Sequence, residues 1–532
     1  MKISKTSMAI RGALAGVCVV GGSLMTATAQ AAPTAEALIG AKCLSCHVET
    51  AEGVSRISYQ RKSPEGWLMS IVRMQVLHGL KITADERQTL VKHLADKQGL
   101  APEETAGARY ILERRLNTQE AFATQEFTEM CARCHSGARV LLQRRPAAEW
   151  EHLVHFHLGQ YPTTEYQQFG RDRDWLGMAL EVMVPQLARD LPLESTAWQQ
   201  WQGQPAQPVG GDWVVSGHKS GQGGFSGVMK VVAGKDDRHT LSFEGRWDDG
   251  TAMKGKGQAL VYTGYEWRGD LEIDGVAYQQ VLMLKDGMLE GRMFEREHEE
   301  IGVDFVASRS DGGDGRVLAA HPAYLKAGTE AELRIVGSDL KGELALPPGV
   351  SVLETLKTSA NEIVVRVRTD QDATGVHPLR VGKANGAALA LYDRIAGIKV
   401  LPEVAVARVG SDDSSTPKVS ARFDAEAWAA GADGKYGTED DYRIGVVSAR
   451  WSVEPFDETA ERDQDVRFAG VMDDSSGVFI PGGAGSNPQR RLMGTNVGNL
   501  KVVASVEQEG SALQGEGQLF VAPQRWNNPP IR

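Results

Sequence analysis

Two five-residue strings carry the chemistry of this chain: Cys43-Leu-Ser-Cys46-His47 and Cys131-Ala-Arg-Cys134-His135. Each is a C-x-x-C-H. At this spacing two thiols add across the vinyl groups of a haem, and the adjacent imidazole offers its nitrogen to the iron. Two such strings a domain's length apart point to two covalently bound c-type haems. Cys43, Cys46, Cys131 and Cys134 are then the attachment points, and His47 and His135 the proximal ligands. A four-cysteine zinc site or two redox dithiols would use the same thiols but leave both histidines without a role.

The distal ligands must be sought among later His and Met. Arg61-Lys62 followed by Trp67 matches Arg144-Arg145 followed by Trp150, each pair lying shortly after its own haem string. Placing Trp67 on Trp150 puts Met74 on His157, seven residues beyond each tryptophan. The first iron then takes His47 and Met74, and the second His135 and His157. Met69 and His78 compete at the first site, and His152, His155, Met178 and Met183 at the second. A methionine on an apolar helix face is often core. A thioether favours ferrous iron, so Met/His ligation raises the potential relative to two imidazoles. Electrons would run from the second haem to the first. With both axial positions filled, the expectation is electron transfer rather than peroxidase chemistry. Arg61, Lys62, Arg144 and Arg145 suit haem propionates or, equally, solvated surface charge, and Trp67 and Trp150 suit packing against haem.

Helices must position these residues. Glu36 to Lys42 leads into the first string, Thr83-x-x-Glu86 is a capping box, and Leu90, Val91 and Leu94 share one face behind it. Gly99 stops that helix. Glu120 to Met130 leads into the second string. Asp174 to Arg189 reads as a further helix, which Pro185 must kink or end. Two all-α cytochrome c domains are expected, at 32–105 and 106–203.

Past a linker at 202–208 the pattern turns to short β segments. Val228 to Ala233, Thr240 to Trp247, Gly257 to Tyr265 and Ala277 to Lys285 are strands, with hairpin signals at Asp249-Gly250, Asp274-Gly275 and Asp286-Gly287. Residues 210–310 read as an antiparallel barrel. After a glycine-rich linker at 311–315, Ala331 to Ile335, Glu362 to Val367 and His377 to Val381 read as strands of an immunoglobulin-like sandwich at 316–400. A second sandwich is expected at 401–532, with a long irregular insertion near 455–495. Asp433, Glu439, Asp440 and Asp441 crowd one loop there; calcium would suit those oxygens, and an Asp/Gly hairpin explains them as well.

The 532 residues are too many for one core. A net charge of −11 gives a nucleic-acid role no electrostatic support. Residues 1–31 read as a secretory signal: Lys2, Lys5 and Arg11, then an apolar stretch, then Ala29-Gln30-Ala31. No later segment is apolar enough to span a bilayer, and covalent haem attachment outside the cytoplasm makes a bacterial periplasm the expected compartment. The β half holds no G-x-S-x-G and no H-E-x-x-H, and His218, His239, His298, His321 and His377 read as structural.

Domain order and three local strings give a family resemblance. The strings are Pro64-Glu-Gly-Trp67 with Arg73-Met74, His157-Leu-Gly-Gln160 with Pro162 to Tyr166, and Tyr262-Thr-Gly-Tyr-Glu-Trp-Arg268. With them the chain resembles the large, dihaem subunit of quinohaemoprotein amine dehydrogenase across nearly its whole mature length. The resemblance implies a heterotrimer that oxidises primary amines. A tryptophan-derived quinone sits on a small partner subunit, a β-propeller subunit completes the assembly, and a soluble cupredoxin or cytochrome c accepts the electrons. No amine-oxidising residue is then expected in this chain. Two readings compete: a stand-alone dihaem carrier or cytochrome subunit of another periplasmic dehydrogenase, and a ligand- or surface-binding β array with cytochromes as appendage.

Overall fold

The computed structural model describes residues 33–166, 171–310, 315–411 and 416–524. The expected secretory signal and most of the 311–315 linker lie outside these ranges.

The haem half is helical, with local reasons for each helix. Ser63 caps Pro64–His78 by accepting from Gly66 N, Pro64 sits where its missing N–H costs nothing, and Gly79 at φ 71° ends it. Thr83 and Glu86 form the expected capping box on Ala84–Lys97, at 3.2 Å and 2.7 Å. The two helices close over Leu38, Trp67, Ile71, Leu90, Val91 and Leu94. In the second half Gln125–Cys131, Ala147–Gln160 and the 175–190 segment close over Phe127, Met130, Trp150, Trp175, Met183 and Leu187.

Of the two outcomes expected at Pro185 one is realised, and a second expectation needs correction. Pro185 does not end the Asp174 to Arg189 helix. A π-turn at Ala179–Met183 precedes Val184–Asp190 and absorbs the irregularity that the missing donor imposes. Nor is the region purely helical: Glu49–Thr50 pairs with Gly53–Val54, and Arg61–Lys62 with Gln143–Arg144.

That second ladder relates the halves. Arg61 pairs with Arg144, its own counterpart in the repeat, in antiparallel sense. Lys62 N donates to Gln98 O at 3.0 Å and Arg145 N to Leu191 O at 3.2 Å, each carbonyl belonging to the residue that caps the C-terminus of a helix, Ala84–Lys97 or Val184–Asp190. Equivalent residues facing each other across an antiparallel pair place a local two-fold axis at Arg61 and Arg144.

The barrel is closed: eight antiparallel strands run in sequence from Gly211–Lys219 to Gly302–Arg309, and the last pairs with the first. Asp274-Gly275 and Asp286-Gly287 take positive φ at both residues, which matches the right-handed twist of the hairpins they turn. The expected strand to Tyr265 stops at Tyr262, because Thr263 and Gly264 both have positive φ and turn the chain. Trp213, Phe225, Met229, Phe243, Trp267 and Phe305 fill the interior, as eight strands allow. Beyond it lie an eight-stranded sheet over 316–392 and a module of smaller sheets over 397–522. The segment expected to be irregular holds two short helices, Glu458–Arg462 and Asp465–Phe468, and the Gly470–Met472/Val478–Pro481 hairpin. In the carboxylate loop Asp433, Asp440 and Asp441 accept N–H bonds from the loop itself, as a turn requires. No described helix is long and apolar enough to cross a membrane.

Candidate haem centres

Each haem string follows directly on a helix end, Ile39–Cys43 in the first half and Gln125–Cys131 in the second. The four thiols form no disulfide. Burial raises the Cys43 thiol and pushes Cys131 up to about 12. Dithiol redox chemistry needs the opposite shift, toward an easily formed thiolate. Among the described residues no three His, Cys, Asp or Glu side chains gather into a metal site, and the four cysteines do not converge as a zinc centre would require.

In the second half His135 and His157 face each other, ring centroids 6.4 Å apart and planes tilted by 42°. His135 Nδ1 lies 2.9 Å from Ser136 O, and His157 Nδ1 2.8 Å from Leu153 O. Each backbone carbonyl holds its ring as the Nδ1–H tautomer and leaves Nε2 with a free lone pair. Burial, then the Arg139 charge, pushes His135 down to about 4, and burial also lowers His157. Burial thus disfavours the charged form of both imidazoles, as suits a ligand. Two metal–nitrogen bonds of about 2 Å each fit between the rings. The donor set thus suits a haem iron. The competitors point elsewhere: His152 and His155 are about half exposed beside Glu149 and Glu151, and Met178 and Met183 belong to the apolar core.

In the first half His47 Nδ1 lies 2.9 Å from Ser55 O. Ser55 belongs to the extra loop that makes the first half longer: Arg61 follows His47 by 14 residues, whereas Arg144 follows His135 by nine. Met74 lies half-buried on Pro64–His78, outside the apolar core that Trp67 and Ile71 of that helix enter. His78 is exposed at the helix end, and Arg139 of the other half donates to Met69 Sδ. Met74 and His47 share no hydrogen bond or ring contact.

The four basic residues near the strings divide into two kinds. Arg61 and Arg144 are not solvated surface charge; both grip Glu104, at 2.8 Å and 3.1 Å, and all three are nearly buried. Burial opposes charge on Glu104, but the Arg61 bonds and the Arg144 charge reverse that and bring its carboxyl down to about 2. Glu104 had no signal in the sequence beyond its charge. Lys62 and Arg145 instead lie over Trp67 and Trp150, at 5.4 Å and 5.6 Å from the ring centroids.

The Tyr262–Arg268 string, singled out in the sequence, locks the barrel onto the haem half. Arg268 bonds Glu65 at 2.6 Å and Glu266 at 2.7 Å, and Glu266 also takes Arg109 at 2.9 Å. Tyr265 OH donates to Leu100 O at 3.0 Å, and Thr263 N to Asp96 Oδ1 at 2.7 Å. Burial alone would raise Glu266; Arg109 and Arg268 more than reverse it. Two of the scattered histidines join modules as well: His218 to Asp424 at 2.9 Å and His321 to Asp248 at 2.8 Å.

Four family models match the chain in succession. Residues 33–198 match quinohemoprotein amine dehydrogenase A, alpha subunit, haem binding. Residues 206–310, 314–393 and 398–531 match alpha subunit domains II, III and IV of quinohemoprotein amine dehydrogenase. No curated protein sequence matches. Among solved structures, the redesigned β-barrel mFAP1 bound to DFHBI covers 19% of this chain and 94% of its own, at 14% identity and TM-score 0.18. A de novo designed fluorescence-activating β-barrel covers 20% and 95%, at 21% identity and TM-score 0.18. Drosophila N-cadherin EC1-3 covers 56% and 89%, at 9% identity and TM-score 0.21.

Proposed function

Because the chain belongs to the alpha-subunit family of quinohemoprotein amine dehydrogenases, an oxidoreductase complex, we propose that it is the dihaem electron-transfer subunit of such a complex in a bacterial periplasm. It takes electrons from a tryptophan-derived quinone on a small partner subunit that deaminates primary amines. It delivers them to a soluble cupredoxin or cytochrome c, and a β-propeller subunit completes the heterotrimer.

The observation that carries the reading is the pair His135 and His157, two imidazoles presented from opposite sides. Such a pair leaves no open position for a substrate. Each haem, when bound, supplies a one-electron carrier. Cys43 and Cys46 would hold the first, with His47 and Met74 as ligands; Cys131 and Cys134 would hold the second, with His135 and His157. The unlike distal residues set the direction, since a sulfur ligand favours the reduced state more than an imidazole does. The cytochrome units at 32–105 and 106–203, the barrel at 210–310, and the immunoglobulin-like sandwiches at 316–400 and 401–532 then divide the labour. The first two hold the haems, and the last three scaffold them and offer loops to the partner subunits.

Native mass spectrometry of the purified assembly tests this. This chain should start near Ala32, carry two covalent haem masses, and travel with one small and one larger partner. A lone chain reducible by many donors would make it a general carrier instead, and a chain without covalent haem would remove the reading altogether.

A further inference from the structure

The seam between the haem halves holds more buried positive charge than the chain neutralises. Lys62 is 4% exposed, and its ammonium finds one hydrogen-bond acceptor, Ser70 Oγ at 2.5 Å, and no carboxylate. Arg73 lies with its guanidinium 4.7 Å over the Phe156 ring and forms no ion pair with any described residue. Arg145 is also 4% exposed; it bonds Gln143 Oε1 at 3.0 Å and 3.4 Å and stands 3.7 Å from Glu149. Glu149 is shared with Arg56 at 3.0 Å and His152 at 3.5 Å. Glu149 thus serves Arg56, Arg145 and His152, while Lys62 and Arg73 have no ion pair among the described residues. Burial, then the neighbouring Arg145 and Arg73 charges, hold Lys62 well below the usual lysine range. Buried like charges are costly unless an anion joins them.

A second observation marks where that anion goes. Trp67 Nε1 donates to Gln98 O at 3.0 Å, but its counterpart Trp150, 1% exposed, has a buried Nε1 with no acceptor. An unanswered indole N–H beside Arg145, which lies over the same ring, is a donor awaiting an oxygen from outside the chain. Arg73 and Arg145 also bear on His157, so the cations border the second candidate centre. Lys62 and Arg73 come from the first half, Arg145 and Trp150 from the second.

We infer that Lys62, Arg73, Arg145 and the Trp150 indole form one carboxylate clamp on which propionates of both haems converge. This rests on the dihaem reading above. Each haem carries two carboxylates, so the two together supply the negative charge that the seam lacks. The two-fold relation sets Lys62 on Trp67 and Arg145 on Trp150 about one seam, so a carboxylate from each bound haem would be drawn to a common point. The clamp would make that point the crossing for electrons between the halves.

The test uses the haem-loaded protein. Lys62→Gln, Arg73→Gln and Arg145→Gln should each lower both midpoint potentials, because a cation near the iron favours the reduced state. Each should also shift the propionate bending bands in resonance Raman. Lys62→Arg should restore both readouts, and Arg189→Gln, which removes an exposed cation paired to Asp190, should change neither. Trp150→Phe keeps an aromatic ring at the site and removes the unanswered N–H with the five-membered part of the indole, so it serves if a charge variant fails to fold; it should shift a propionate band. Unchanged bands in Trp150→Phe, or charge variants that move at most one potential, would overturn the shared clamp. Absence of haem from the wild-type chain would instead defeat the dihaem reading itself.

Discussion

The two haem halves use one scaffold for two unlike centres. Each places a helix end before its C-x-x-C-H, a short strand on the common ladder, a tryptophan six residues further, and a closing helix whose terminal carbonyl returns to the strand. They differ where chemistry would be tuned. Seven residues beyond the tryptophan stands Met74 in one and His157 in the other. The first half binds its tryptophan N–H to its own backbone, and the second leaves it open. The first half is also longer between string and ladder, and the extra loop supplies the carbonyl that orients His47, whereas His135 uses the next residue along the chain. A duplicated frame can hold its core constant while single positions on a shared helix face set the properties of each site.

Exchanging the unlike residues should break that difference with the largest effect. Met74→His should move the first site's midpoint potential negative by a sizeable part of the about 0.8 V that axial ligands open. His157→Met should move the second positive, and both are read by spectroelectrochemistry. If both potentials stay in place after Met74→His, the exposed His78 replaces Met74 as the candidate ligand and the direction of flow loses its basis.

A smaller effect is expected where the halves meet. Glu104→Gln leaves Arg61 and Arg144 buried without a carboxylate partner among the described residues, at a cost of about 3–5 kcal/mol in denaturant unfolding. The pH dependence follows in sign. Glu104 has a depressed folded pKa of about 2, so its stabilisation is present above the unfolded carboxyl value near 4.3 and is lost as pH falls toward 2. The wild type should lose about 3 kcal/mol over that window beyond what Glu104→Gln loses. Parallel acid profiles for the two proteins would show that the seam does not depend on this carboxylate.

The smallest effect separates the closing helices. Thr83→Ala together with Glu86→Ala removes both bonds of a capping box and should cost about 1 kcal/mol. Asp174→Ala removes a single bond, to Gly177 N at 3.0 Å, and should cost about half as much. Chemical denaturation midpoints at constant slope decide the order, and an inverted order would mean that the second closing helix depends more on its cap than on its packing.

Local rules were enough to read a large part of the molecule. The haem strings, the Thr83/Glu86 cap, the Asp-Gly hairpins and the switch from helix to strand near residue 205 all depend on residues within a turn or a hairpin of one another. The offset that aligns Met74 with His157 was also visible, because duplication leaves a spacing in the chain. Four strands of the barrel were not read: Gly211–Lys219, Glu266–Ile273, Met288–Glu295 and Gly302–Arg309. That Pro185 would disturb its helix was legible, but the π-turn that absorbs it leaves no local mark. Only tertiary structure decided which basic residues serve the seam and which remain for an outside anion. Arg61 and Arg144 look like Lys62 and Arg145 in sequence, yet the ladder turns one pair toward Glu104 and lays the other over tryptophan. Charge is a property of the residue, but the partner that answers a charge comes from a distant part of the chain. The fold alone brings Glu104 to Arg144 and leaves Lys62 without an ion pair among the described residues.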